Sequence, residues 1–206
     1  MANILVMSPH HPQPRKVGIV VDALDRGGLI AYPTDTVYGF GCDLHNRKAV
    51  DRVYQIRNLD KSHMMSFVCP NLAGVARYAQ MTDFAYRILK RILPGPYTVI
   101  MKATSEVPRV LLQKRRTVGI RIPDSPIAMS LVEGLGRPIL SSSVVSQDGD
   151  ILADPRDIRD EFGNRGLDLV VDGGFLGNIP STVISLIDDE IELIREGKGE
   201  LDTLGL

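Results

Sequence analysis

The chain has 206 residues, 44% of them hydrophobic and 24% charged, with a formal net charge of −1. That length supports one substantial core, and the composition is ordinary for a soluble globular chain, with nothing in it that predicts disorder or a membrane span. Cys42 and Cys69 belong to no CxxC and have no neighbouring His cluster, so neither a disulfide framework nor a zinc site is favoured.

Ile4-Leu5-Val6-Met7 is too short for the apolar region of an export signal and has no basic residue before it, so a cytoplasmic protein is the expectation. Val17, Val20, Val21 and Leu24 then share one helical face, closed by Arg26-Gly27-Gly28. Leu29–Tyr32 reads as a strand, and a helix starting at Asn46 turns Ala49, Val53 and Ile56 inward. Met65–Cys69 is the next strand, Asn71 opens a helical pattern through Ala79, and Asp83 is placed to cap a further helix that Pro94-Gly95-Pro96 stops. Strands at Thr98–Lys102 and Thr117–Ile122 bracket a short helix near Val107–Gln113. Ser125-Pro126 and Asp154-Pro155 each pair a cap with proline at the first helical position, giving helices to Leu135 and Phe162. Pro138–Val144 and Leu167–Val171 are strands, and Ser181–Ile187 with Ile191–Arg195 form a closing hairpin about Asp188-Asp189-Glu190. Helices alternate with strands early and strands pair locally late. The expected fold is a single α/β domain over residues 1–206, an open, twisted, mixed parallel and antiparallel sheet flanked by helices.

Charge is uneven along the chain. Phe84 to Pro123 carries nine cations against the single acid Glu106, whereas Asp148 to the C-terminus carries fifteen acids against five cations. Such polarity suits a surface that offers one positive region to phosphates, of a nucleotide or of an RNA backbone; a solvated helix face is the plainer reading.

Polar residues gather at strand ends, where an open α/β sheet holds its ligands. The first strand opens into YPTDTVYGFG, residues 32–41. Its Pro33 cannot donate to a sheet ladder, Gly39 and Gly41 permit close backbone approach, and Thr34, Thr36 and Tyr38 supply hydroxyls. A small polar ligand or an ST-type turn explains these ten residues equally well. TVGIRIP places Arg121 before a proline, PILSSS ends in Ser141, Ser142 and Ser143, PSTVI opens with Ser181 and Thr182, and IREG ends a strand in Arg195. Arginine is the usual fork for carboxylate or phosphate. His63 lies in a loop just beyond Arg57 and could reach such a site, although a lone loop histidine is more often solvated, and Asp35 could either cap its turn or meet a magnesium ion carried by a nucleotide.

From the GG-L-I-A-YPTDTVYGFG opening through PGPYTVIMK, TVGIRIP, GRPILSSS and PSTVISL to IREG, the chain resembles the YrdC/YciO family, which includes the threonylcarbamoyl-AMP synthases of tRNA modification. The resemblance implies a large concave, positively lined cavity and the conversion of L-threonine, bicarbonate and ATP, with its Mg²⁺, into threonylcarbamoyl-AMP and pyrophosphate. It assigns Thr34, Arg121, Ser141 and Ser181 to L-threonine or a related small acid, and Arg57, Thr117, Ser143 and Arg195 to ATP. No catalytic side chain and no resident metal ligand is assigned. Where family synthases usually carry K-x-R and S-x-N, this chain has Arg57-Asn58-Leu59 and Ser143-Val144-Val145, so Leu59 and Val145 replace an expected Arg and Asn. At roughly 1.5–3 kcal/mol per lost contact, synthase activity would fall about a hundred- to ten-thousandfold. This pattern resembles the YciO branch. The alternative expectation is a protein that binds tRNA or another double-stranded RNA through its basic surface, with Lys114, Arg115 and Arg116 as the contacting residues.

Overall fold

The structure, a computed structural model, describes residues 2–60, 63–112 and 116–204. In chain order it contains β1 (Asn3–Val6), α1 (Pro14–Asp25), β2 (Ile30–Tyr32), β3 (Gly39–Asp43), α2 (Arg47–Ile56) and β4 (Ser66–Val68). These are followed by α3 (Leu72–Tyr78), α4 (Asp83–Ile92), β5 (Tyr97–Lys102), β6 (Thr117–Arg121) and α5 (Pro126–Leu135). Last come β7 (Ile139–Ser143), α6 (Pro155–Phe162), β8 (Leu169–Asp172), β9 (Thr182–Ser185) and β10 (Glu192–Arg195).

Apart from α1, which opens on Pro14 without a side-chain cap, the helices begin where the sequence offers a side-chain acceptor. Asn46, Asn71, Ser125 and Asp154 each accept a backbone N–H of the first turn of α2, α3, α5 and α6. On α4 the cap is Thr82, not Asp83, which is instead the first helical residue and places its acid at the positive end of the helix. α5 ends at Gly136, whose φ of 69° is the left-handed geometry that glycine tolerates. The helix expected near Val107–Gln113 is a single 3₁₀ turn at Arg109–Leu111; so short an apolar stretch cannot offset the cost of nucleating an α-helix.

All ten strands join one sheet in the order β1-β8-β2-β3-β7-β4-β6-β5-β9-β10. Four neighbouring pairs are parallel (β1 with β8, β8 with β2, β4 with β6, β5 with β9) and the other five are antiparallel. The terminal hairpin forms as expected, with Asp188 and Asp189 both at positive φ in its turn.

Side chains alternate between faces along each strand, and this divides the core in two. Phe40, Phe67, Val99, Val118, Ile120, Leu140 and Ile184 point to the face covered by α2, α3, α4 and α6. On the other face, Ile30, Tyr32, Val68, Ile139 and Val171 meet Val20 and Leu24 of α1 and Leu131 and Val132 of α5. α1 and α5 cover only part of that second face. The positions that continue its rows over β7, β4, β6, β5 and β9 are mostly serine, glycine, threonine and arginine, with Ile100 on β5 and Val183 on β9 between them. Among the described residues no helix is long and apolar enough to cross a membrane.

Candidate functional site

Strand register assembles the uncovered surface. Ser141 of β7 is paired with Ser66 of β4, Ser66 with Gly119 of β6, and Gly119 with Ile100 of β5, forming one row across four strands. A second row runs from Thr98 of β5 to Val183 of β9 and Arg195 of β10. Adjacent strands are about 4.8 Å apart, so the surface from β7 to β10 extends roughly 24 Å. A cavity of about 310 Å³ lies on it, floored by these residues and walled by Val37, Arg57, His63, Met64, Val145 and Ile151. That volume is within the range of small-molecule sites.

Cations dominate the lining. Arg57, Arg121 and Arg195 face the cavity, and no Asp or Glu does so among the described residues. Arg57 donates from Nε to Ser142 Oγ (3.3 Å) and from Nη1 to the Val145 carbonyl (3.1 Å). Arg195 donates from Nη2 to the Ser181 carbonyl at 2.8 Å. These neutral acceptors fix both guanidiniums without neutralising them. Burial lowers the pKa of Arg57, and burial followed by the charge of Arg121 lowers that of Arg195. Desolvated cations without a counter-charge favour an anion in the space between them. Burial, followed by the charge of Arg57, also pulls the His63 imidazole below its ordinary value and so favours its uncharged form.

Arg121 differs from the other two. Its Nη2 donates to Asp35 Oδ1 at 2.8 Å and to Thr36 Oγ1 at 3.1 Å, in a pair whose side chains are each 8% exposed. Among the described residues, Asp35 Oδ2 and Arg121 Nε are buried without a partner. Asp35 is thus neither a simple turn cap nor a free metal ligand; it holds Arg121 in place. The YPTDT loop is joined to the C-terminal segment by Lys198 Nζ, which donates to the Asp35 carbonyl at 2.5 Å. Gly197 is required there, because a Cβ would lie 2.4 Å from the Pro180 carbonyl oxygen.

Of the residues expected in the site, Arg57, Arg121, Ser141, Ser143, Ser181 and Arg195 share the cavity. Thr34 is not among its lining residues: its hydroxyl donates to the Val37 carbonyl (2.6 Å) and accepts from Thr36 N (3.2 Å), the geometry of the ST-type turn. Thr117 is buried at the start of β6, in a narrow gap beside Met64, Met65 and Tyr54 that adjoins the cavity. Lys114 and Arg115 lie outside the described residues; Arg116 is exposed and does not line the cavity.

The two departures from the synthase pattern separate. Val145 lines the cavity. Leu59 does not, contrary to its expected place beside the nucleotide. α2 ends in a Schellman motif: Asn58 has φ 49°, Asn58 N donates to the Gln55 carbonyl and Leu59 N to that of Tyr54. This turn sends Leu59 back onto the core, where it packs beside Tyr54 in a shallow surface groove.

Several lining residues escaped the sequence reading. Ser66, Thr98 and Val183 sit inside strands, where a polar or small side chain carries no mark of function by itself. Their alternation with buried apolar neighbours, as in Thr98-Val99-Ile100, was the available signal.

Residues 22–197 match the Sua5/YciO/YrdC domain model, whose description reads "telomere recombination". The chain belongs to this family. The YciO protein of Escherichia coli strain K12 is 39% identical over 203 residues, 98% of each chain. The crystal structure of E. coli YciO superposes with a TM-score of 0.94, covering 98% of this chain and 99% of that one. A threonylcarbamoyl-AMP synthase of Vibrio vulnificus strain YJ016 is 32% identical over 127 residues, 60% of this chain and 68% of the relative. P. abyssi Sua5 complexed with L-threonine is 26% identical, with a TM-score of 0.88 over 95% of this chain and 58% of that chain. The family's single α/β domain with an open mixed sheet is therefore the fold of this chain, and its relatives include threonylcarbamoyl-AMP synthases.

Proposed function

We propose that the cavity binds ATP together with L-threonine or a related small acid, and that this Sua5/YciO/YrdC-family chain is a threonylcarbamoyl-AMP synthase-like nucleotidyltransferase of reduced or altered activity. The observation that carries this reading is the set of three guanidiniums, Arg57, Arg121 and Arg195, spread over a serine-lined cavity without a carboxylate on its wall. In the reaction, the amine of threonine and bicarbonate give an N-carboxy amino acid and water. A carbamate oxygen then attacks the α-phosphorus of ATP, the bond to the β-phosphate breaks, and pyrophosphate leaves. Positioning and cations on the phosphate oxygens do most of such work.

Arg57, Ser143 and Arg195 are the proposed phosphate-side contacts, and Arg121, Ser141 and Ser181 those of the small acid. Thr98 supports Ser181 through a 2.8 Å hydroxyl–hydroxyl hydrogen bond. Magnesium belongs with the nucleotide phosphates in this reading. Because Leu59 is turned away from the cavity, the missing group on the wall is the amide that Val145 replaces. One absent neutral hydrogen bond is worth about 0.5–1.5 kcal/mol, a loss nearer tenfold than ten-thousandfold.

The test is pyrophosphate release from ATP and Mg²⁺ with L-threonine and bicarbonate, omitting each in turn. The expected result is slow release that requires both. Release without an amino acid, or none at all across a panel of amino acids, contradicts the proposal. Salt-dependent duplex RNA binding in the absence of release would put the RNA reading first.

A further inference from the structure

Tyr32 is fully buried among the residues under α1 and α5, yet its phenol reaches the edge of the cavity. The ring lies across β3, and only glycine permits this. A Cβ on Gly41 would stand 2.7 Å from Tyr32 Cε1, and a Cβ on Gly39 would stand 2.9 Å from Ser141 Oγ. Across these glycines Tyr32 Oη donates to Ser141 Oγ at 2.9 Å. Burial pushes the phenol up to about 12, so it keeps its proton throughout the physiological range.

A serine hydroxyl has one proton and two acceptor sites. Tyr32 occupies one acceptor site of Ser141, and no other hydrogen bond to Ser141 Oγ is present among the described residues. The proton of Ser141 is left for the cavity that Ser141 lines. Arg121 lines the same cavity and, as a guanidinium, can only donate. We infer that Tyr32 is a positioning residue: it fixes Ser141 as a hydrogen-bond donor, so that this end of the cavity accepts a ligand oxygen, of a carboxylate or carbamate, and disfavours an ammonium group. The inference deepens the proposed function and rests on it for the identity of the ligand, though not for the direction of the hydrogen bond.

Calorimetric titration of L-threonine in the presence of ATP and Mg²⁺ tests it on Tyr32→Phe, Ser141→Ala and the double variant. Ser141→Ala should weaken threonine about tenfold and Tyr32→Phe about fivefold, with the double variant no worse than Ser141→Ala. A merely structural Tyr32 would lower the melting temperature and leave affinity unchanged; that result, or losses that simply multiply, overturns the inference. If the unaltered protein binds no threonine, the proposed function fails, and a neutron structure of the free protein decides the inference. A deuteron on Tyr32 Oη directed at Ser141 Oγ, with that of Ser141 in the cavity, supports it. A Ser141 deuteron directed at Tyr32 Oη overturns it.

Discussion

Arg121 shows how a residue proposed as a ligand contact can also be part of the protein's stability. In an open cavity its loss would affect binding alone. Here it is buried against Asp35, whose second oxygen already has no partner among the described residues. Arg121→Ala would strand that carboxylate, at a cost of about 3–5 kcal/mol. A large fall in the urea midpoint should accompany any loss of ligand; an unchanged midpoint would show that Asp35 is reached by water. Leu59 and Val145 make the opposite contrast. Leu59→Arg removes the apolar contact that closes the Schellman turn and should cost about 1 kcal/mol with no gain in turnover. Val145→Asn places an amide on the cavity wall and should raise pyrophosphate release up to about tenfold. Comparison of melting temperature with initial rate for the two variants checks this, and a rate gain in the Leu59 variant would contradict the placement of that side chain.

At the scale of elements, the site depends on β3 placing glycine at both Gly39 and Gly41. Gly39 and Gly41 let the Tyr32 ring cross it, and five consecutive positions from Gly39 to Asp43 are buried. Gly41→Ala forces a methyl within 2.7 Å of that ring and 2.9 Å of Ile139 Cγ2, for which overpacking costs of about 1–3 kcal/mol are expected. The measurement is chemical denaturation, and a neutral result would mean that Tyr32 can shift without loss. β3 is also where the sequence was least legible: glycine has low β propensity, and the pattern Gly-Phe-Gly-Cys-Asp gives no clean alternation. β1 was missed because Ile4-Leu5-Val6 is too short an apolar run to distinguish from a terminal extension. The proline-led helices α5 and α6 were plain, since cap, proline and apolar period agree. Their agreement explains why the order of elements could be read while the contents of β3 could not.

For the whole molecule, the decisive feature is unequal coverage of one sheet. Four helices cover one face completely enough to bury Phe40, Phe67 and Val99. The two helices of the other face leave a strip whose rows are Ser141, Ser66, Gly119 and Ile100, then Thr98, Val183 and Arg195. Residues far apart in sequence meet on that strip because β7, β4, β6, β5, β9 and β10 are neighbours in space. Arg121, Ser141, Ser143, Ser181 and Arg195 could thus be named singly from strand ends, and Arg57 from the family resemblance, whereas the cavity required strand order, which single-sequence periodicity does not contain. The central claim is that this strip is an anion-binding surface for a nucleotide. Arg195 tests it most directly, because it lines the cavity and its hydrogen bond is to a backbone carbonyl, so its loss strands no buried charge. Titration of Mg²⁺-ATP into the unaltered protein and Arg195→Gln should give saturable binding that weakens about tenfold or more in the variant, with folding intact. Equal affinity of the two proteins, or no binding to the unaltered one, would contradict the account.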